Sequence, residues 1–231
     1  MKLPPLRRVR WQACYRLIHT RSPTVDLFER IADPEDFEAL IELESLHNPR
    51  IRQGIGDLSG HRLEEIPTKS RSSYILAPFA YPSDSRFGTV RFGVFYGARQ
   101  IKTALAEVVY HRENFLKATR EEAMLLEMRL LSVQLDARLY DLRGQQKLYA
   151  SLYHPQDYSD SQSFGKKLKD LDSQGLAYDS VRDLKGQCVA IFKPQVLSHA
   201  HHIKYLYLRW NGKKIIQFLE EEKNKQKTPL P

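Results

Sequence analysis

The order of strand-like and helix-like segments constrains this fold more than any other feature of the sequence. Short apolar and aromatic segments predict strands over 11–18, 94–96, 124–136, 176–178, 188–192 and 203–210. Helical spacing predicts one helix beginning just after Tyr96 and another over 161–174, with Gly175 as its C-terminal cap. Because the helices interrupt the strands irregularly and the C-terminal connections are short, we expect an α+β fold with a mixed, largely antiparallel sheet flanked by helices.

The remaining segments are predicted to form an insertion and a tail. Residues 23–69 combine helical spacing with a later glycine-containing stretch, which predicts a helical and loop insertion. Residues 213–231 are strongly charged, and we expect a helix end from Gln217 followed by a frayed tail. The 231 residues suit one substantial core, so we predict a single domain over 1–231 with its core at about 11–194.

Composition argues against an exported or membrane-spanning protein and says less about the partner. No apolar run approaches the ~20 residues of a membrane-spanning helix, and the N-terminus lacks the apolar core of a signal peptide, so we expect a cytoplasmic protein. Cys14 and Cys188 are too few for a disulfide framework and are predicted to be buried thiols. The net charge of +8 suits nucleic acid, an anionic dinucleotide or an acidic protein, because the basic residues are scattered.

The common catalytic and metal-binding motifs are missing from the sequence. It has no Gly-rich phosphate loop, no His-Glu-x-x-His helix and no nucleophile elbow. His199, His201 and His202 are clustered, but no cysteine or carboxylate stands at ligand spacing beside them, so we predict a solvated turn and no metal. Any enzymatic function must therefore rest on another pattern.

Such a pattern exists as a series of short blocks along the chain. The blocks are Tyr15-Arg16, Arg86-Phe87, Gly93–Ala98, Thr103–Val108, Tyr158–Gly165, Gly175–Asp183 and Gly186–Phe192. Each block is short, but their order and spacing resemble the RES domain over about 11–194. The resemblance implies an ADP-ribosyltransferase-like core, NAD+ as a substrate with no other cofactor, and an Xre-like antitoxin partner whose C-terminal segment covers the active site. Contact with nucleic acid would then be indirect, through the antitoxin.

The resemblance assigns the catalytic carboxylate to Glu107. Cleavage of the bond between nicotinamide and ribose passes through an oxocarbenium-like transition state, which a carboxylate beside the ribose stabilises, as in glycoside hydrolysis. The spacing of the apolar residues places Glu107 on the flank of the apolar face of its helix. Without the resemblance, Glu107 would be interpreted as a solvated helix residue.

Arg16, Arg86 and Tyr96 are the other predicted contacts of NAD+ along the first half of the chain. The guanidinium of Arg16 would bind the diphosphate or ribose in a bidentate manner, and Arg86 is a second candidate for that role. Tyr96 would stack its ring on nicotinamide and leave its hydroxyl for ribose or water. The alternatives are strand arginines that are exposed or paired with a carboxylate, and a core aromatic residue at a strand end.

Three serines complete the predicted site, and the sequence does not choose among them. Ser159 is the first candidate for a hydrogen bond to the nicotinamide ribose or carboxamide, and Ser161 and Ser180 match neighbouring positions of the resemblance. Ser159 and Ser161 also precede or open a predicted helix, where serine is a good N-cap.

The function implied by the resemblance is a toxin that depletes NAD+ and arrests growth. The acceptor of ADP-ribose stays open between water, phosphate and a host protein, and the last of these would make the chain a mono-ADP-ribosyltransferase. Two alternatives of other classes are a basic nucleic-acid-binding module and an inactive scaffold that keeps the fold for its partner. A nucleic-acid-binding module would bind with a steep salt dependence that does not involve Glu107.

Overall fold

A computed structural model describes residues 2–20, 67–70 and 72–220 of the chain. The strands are β1 Leu6–His19, β2 Phe95–Ala98, β3 Met124–Asp141, β4 Gly175–Asp179, β5 Gln187–Ile191, β6 Leu197–Trp210 and β7 Ile215–Glu220. The α-helices within the described residues are α1 Ser73–Ala80, α2 Ile101–Ala118 and α3 Ser159–Asp170. Short 3-10 turns lie at Thr68–Ser70, Ala150–Tyr153 and Pro194–Val196.

The strands form one seven-stranded sheet in the order β1-β2-β5-β4-β3-β6-β7, with a further pairing between β1 and β3. That pairing closes β1, β2, β5, β4 and β3 into a ring, from which β6 and β7 extend. The β3–β4 pair is parallel, and the other described pairs are antiparallel. The predicted α+β fold with a mixed, largely antiparallel sheet is therefore confirmed.

Both faces of the central strands are covered by apolar side chains. Along β5, Cys188 and Ala190 belong to one core cluster, and Val189 and Ile191 belong to the other. Successive strand residues point to opposite faces, so this short strand is buried on both sides. The prediction that both cysteines are buried, free thiols is also confirmed.

The longest strands explain why the N-terminal segment is held firmly. β1 runs beside β3 from the pair Leu6 and Tyr140 to the pair His19 and Met128, so backbone hydrogen bonds tie the N-terminal strand to the middle of the chain. β3 also pairs with β6, and that register shifts near Leu131 and again near Val133. At both shifts the extra residue lies on β6, so the bulge that the change of apolar phase predicts within β3 is not found there. The phase changes because Leu126, Met128 and Leu130 face one core, whereas Val133 and Leu135 face the other.

Several predicted boundaries need correction. α3 ends at Asp170, and Gly175 does not cap it but is the first residue of β4. Gly175 has a φ of 139°, and a Cβ added to it would lie 2.2 Å from the carbonyl oxygen of Ala190, so only glycine fits there. The helix end predicted from Gln217 is wrong, because Gln217 lies in β7, which continues to Glu220 and pairs with β6. The tail after Glu220 and residues 23–66 of the predicted insertion at 23–69 lie outside the described residues.

The histidine cluster also differs from the prediction. His199, His201 and His202 lie in β6 and not in a turn, because the strand begins earlier than expected, at Leu197. Within the described parts of the chain, no group of His, Cys, Asp and Glu side chains has the arrangement of a metal site. In the same residues, no helix combines the length and apolar character needed to cross a bilayer.

Candidate active site

A cavity of about 410 Å³ opens between β1, β2 and one face of α2. Four of the predicted residues line it together: Arg16 from β1, Arg86 from the loop before β2, Tyr96 from β2, and Glu107 from α2. The cavity falls in the size range of small-ligand sites in proteins. The sheet order thus brings Arg16 of β1 beside three segments that follow one another much later in the chain.

Glu107 is held in one orientation by Ser180. The Ser180 hydroxyl donates to Oε1 of Glu107 at 2.6 Å, and it accepts from the backbone N–H groups of Arg182 at 3.0 Å and Asp183 at 2.9 Å. Ser180 is only 6% exposed, and its partners fix its hydroxyl. The Sγ of Cys188 lies 4.0 Å from the same carboxylate oxygen. The carboxylate therefore cannot turn without breaking a network anchored in the loop after β4.

The loop after β4 is in turn fastened to α2. The Thr103 hydroxyl donates to Oδ2 of Asp183 at 2.6 Å, and Thr103 is fully buried in the first turn of the helix. A Cβ at Gly186 would lie 2.6 Å from the Thr103 methyl carbon, so glycine allows this close approach. The carboxylate and the serine that holds it thus belong to two elements locked to each other.

Arg16 lies at the inner wall of the cavity. Its Nη1 donates to the carbonyl oxygen of Tyr96 at 2.9 Å, and its guanidinium lies 4.9 Å from the centre of the Phe95 ring. Its Nε is buried and has no hydrogen-bond partner among the described residues. Burial lowers the pKa of Arg16 to about 10, so the side chain is still a cation at neutral pH.

Arg86 is 8% exposed and connects the cavity to the segment before α3. Its Nη1 donates to the carbonyl oxygens of Leu152 at 3.1 Å and His154 at 2.9 Å. Its guanidinium also lies over the Tyr158 ring, 4.5 Å from the centre. Part of its hydrogen-bonding capacity is therefore used to hold a loop, while the side chain still lines the cavity.

The hydroxyl of Tyr96 is already engaged by the loop that carries Arg86. It donates to Oγ of Ser85 at 3.0 Å and accepts from the backbone N–H of Phe87 at 2.8 Å. Burial raises the pKa of Tyr96 to about 12, so the phenol is protonated at neutral pH. The ring, rather than a free hydroxyl, is what Tyr96 presents to the cavity.

The three predicted serines occupy different places. Ser180 contacts Glu107 as described above. Ser159 is exposed and donates to Oδ1 of Asp157 at 2.7 Å, and Ser161 is buried and donates to the carbonyl oxygen of Tyr158 at 3.0 Å. None of the three predicted serines lines the cavity itself, and Ser180 reaches it only through Glu107. The hydrogen bonds of Ser159 and Ser161 are local, and they stabilise the start of α3.

Several lining residues were not found from the sequence. They include Tyr15, Ser85, His111, Arg112, Tyr158 and Tyr178. His111 could have been found, because it stands four residues after Glu107 and so lies on the same face of α2. Burial lowers the pKa of His111. The negative charge of Glu107 raises that pKa, whereas the positive charges of the nearby arginines lower it further: Arg182, Arg86 and Arg112.

The charges around the cavity favour an anionic ligand. Three arginines line it, Arg16, Arg86 and Arg112, against two carboxylates, Asp84 and Glu107. By contrast, the exposed N-terminal basic residues are paired: Arg8 and Arg10 both bind Asp136, at 2.8 Å and 2.9 Å. The cavity therefore keeps a small excess of positive charge, and its arginines are less exposed than those of the N-terminal strand.

Comparison with known proteins gives the family. The model of the RES domain matches residues 62–211. A protein of Sinorhizobium fredii (strain NBRC 101917 / NGR234), named uncharacterized protein y4oC, is 31% identical over 206 residues, which cover 87% of this chain and 84% of that protein. A chain from the crystal structure of the M. tuberculosis MbcT-MbcA toxin-antitoxin complex aligns with a TM-score of 0.47 and 14% identity over 86% of each chain. The family match confirms the resemblance stated from the motifs, and the chain belongs to the RES-domain family.

Proposed function

We propose that this chain is the toxin of a toxin-antitoxin pair and that it cleaves NAD+ at the bond between nicotinamide and ribose. The observation that carries the proposal is the meeting of Arg16, Arg86, Tyr96 and Glu107 in one cavity. These are the residues that the resemblance to the RES domain assigns to NAD+, and they come from four separate segments. NAD+ is the substrate in this proposal, and no other cofactor is required.

Glu107 supplies the electrostatic part of the mechanism. As the bond to nicotinamide breaks, positive charge develops on the ribose ring, and a fixed carboxylate stabilises it. The hydrogen bond from Ser180 keeps one oxygen of Glu107 in place, so little reorganisation is needed when the charge appears. In this mechanism Ser180 is a positioning residue that acts through Glu107.

The arginines supply binding and orientation. The unpartnered Nε of Arg16 is a buried donor next to the cavity, and an anionic oxygen would satisfy it. A diphosphate is such an anion, and its capture would place the rest of NAD+ along the cavity. The Tyr96 ring provides a flat apolar surface for the nicotinamide.

The family resemblance supplies the cellular part of the proposal. An Xre-like antitoxin would cover the cavity and prevent NAD+ cleavage. Once freed from the antitoxin, the toxin would act in the cytoplasm, where NAD+ is available. The acceptor of ADP-ribose is water in our proposal. Transfer to phosphate or to a host protein would use the same residues around the ribose, so the experiment must follow the product.

The test is an assay of purified protein with NAD+, in which free nicotinamide, free ADP-ribose and labelled protein are all measured. We expect nicotinamide and ADP-ribose to form in equal amounts, and Glu107→Gln to lower turnover by about 10²–10³-fold. Glu122→Gln is the matched control, because Glu122 is an exposed residue after α2 that does not line the cavity. Turnover in none of the channels, even after addition of a bacterial lysate, would refute the proposal.

Expression in bacteria extends the same test to the cell. We expect growth arrest by the wild-type chain and normal growth with Glu107→Gln or Arg16→Ala. Arrest that both variants retain would instead favour a function carried by basic residues away from the cavity, such as nucleic-acid binding.

A further inference from the structure

His111 is the titratable residue in the cavity that the proposed mechanism does not yet use. It stands one helical turn after Glu107 on α2, and both side chains line the same space. Its ring packs edge-on against the Tyr110 ring at 5.4 Å. Within the described residues, neither of its ring nitrogens has a hydrogen-bond partner.

The neighbouring contacts limit how α2 and its side chains can move. The Tyr110 hydroxyl donates to the carbonyl oxygen of Pro155 at 3.2 Å, and the Arg182 guanidinium lies over the Tyr110 ring at 3.3 Å from its centre. Arg182 also donates to the same carbonyl oxygen of Pro155. Tyr110 is therefore fixed by three contacts, and it restricts the positions of the His111 ring packed against it.

Glu107 is already engaged at one of its two carboxylate oxygens. Ser180 already donates to its Oε1, and the thiol of Cys188 lies near that same oxygen. A carboxylate held in this way suits charge stabilisation, so removal of a proton from an attacking water falls to a different group. Histidine is the side chain most often used for that task.

The geometry points to His111 as the general base that activates the water for attack on the ribose. This inference rests on the proposed function and deepens it. The bond from ribose to nicotinamide breaks with its electron pair going to nicotinamide. As this bond breaks, the water oxygen bonds to the same ribose carbon, and the proton that water loses passes to a ring nitrogen of His111 and from there to solvent.

The protonation state of His111 at neutral pH is consistent with this role. The groups that face the ring are Glu107, Tyr110 and Arg112 from α2, Arg182 from the loop after β4, and Arg86 from the loop before β2. Burial is the largest influence and lowers its pKa, and the three arginines act in the same direction against Glu107. The imidazole is therefore neutral and able to accept a proton at pH 7.

The experiment compares wild type and His111→Gln in NAD+ hydrolysis across pH 5 to 8. We expect wild-type kcat to rise with pH as the imidazole loses its proton, and the variant to lose both that rise and about 10²-fold or more of kcat. KM for NAD+ should change little, because the variant keeps both arginines that face the diphosphate. His201→Gln is the matched control, because His201 is exposed on β6 and does not line the cavity.

Sodium azide separates proton removal from a structural role. Azide is an anionic nucleophile that has no proton to lose, so it should restore nicotinamide release in His111→Gln and give the ribosyl azide. A variant that azide does not restore, or one that keeps wild-type kcat and the same pH profile, would overturn the inference.

The outcomes also separate this inference from the proposed function. Wild type that releases no nicotinamide under any condition would refute both. Wild type that transfers ADP-ribose only to phosphate or protein, with none to water, would leave NAD+ cleavage standing and remove His111 as the base for water.

Discussion

Removal of the Ser180 hydroxyl tests whether the fixed orientation of Glu107 matters for activity. Ser180→Ala deletes a 2.6 Å hydrogen bond to the carboxylate and leaves the N–H groups of Arg182 and Asp183 without their acceptor. A hydrogen bond to a charged group contributes about 1.5–3 kcal/mol. Water can reach the half-buried loop and replace part of this, so we expect a loss of about 2 kcal/mol in the free energy of unfolding.

Two measurements follow from that value. In a chain of this length, about 2 kcal/mol corresponds to a fall in Tm of roughly 4–8 °C. If the same free energy is lost from the transition state, kcat should fall by roughly 10–100-fold, which is less than for removal of the carboxylate charge itself. Thermal unfolding and NAD+ turnover measured on the same preparation give both numbers.

Ser173→Ala is the matched control for this prediction. Ser173 is buried and makes two hydrogen bonds with Gly175, but it does not line the cavity. We expect a loss of about 1 kcal/mol in stability and no change in kcat. Wild-type kcat in folded Ser180→Ala would show that the serine does not position Glu107.

Three further predictions concern packing, pH and thiol chemistry. Gly165→Ala should destabilise the fold by about 1–3 kcal/mol in chemical denaturation, because its Cβ would lie 2.1 Å from the carbonyl oxygen of Phe87. The hydrogen bond from Arg8 lowers the pKa of Asp136 to about 2. The ionised carboxylate should therefore contribute fully to the free energy of unfolding above pH ~4 and lose that contribution toward pH ~2. The fall in Tm between these pH values should be larger in wild type than in Asp136→Asn. Burial raises the pKa of Cys14 to about 12, so Cys14 should react with a disulfide reagent only after unfolding, and fast labelling of native protein would contradict its burial.

The periodic parts of the fold could be predicted from the sequence. β3 is buried on two faces and α2 on one, and the spacing of apolar residues in a sequence indicates which faces are buried. Gly175 shows the limit of such patterns. A glycine after a helix can cap it, but here the close approach of β5 requires glycine inside a strand, and only the strand pairing reveals this.

The main residues of the candidate site were predictable only through the resemblance of the sequence blocks to the RES domain. Arg16, Arg86, Tyr96 and Glu107 meet as expected in one cavity. The partners of these residues were not predictable, because they depend on contacts between distant segments. Ser180 is the clearest case: its hydroxyl contacts Glu107, 73 positions away, and the sequence alone could not distinguish that contact from a contact with substrate.

The position of β5 in the sheet has a consequence for the order of events during synthesis. β5 is among the last strands to leave the ribosome, yet it lies between β2 and β4, and it carries Cys188 into the cavity wall. A nascent chain that ends before residue 187 holds Arg16, Tyr96 and Glu107 but has no strand to join β2 to β4. Pairing between such distant segments is slow to form, so the cavity is completed only after nearly all of the described chain has been made.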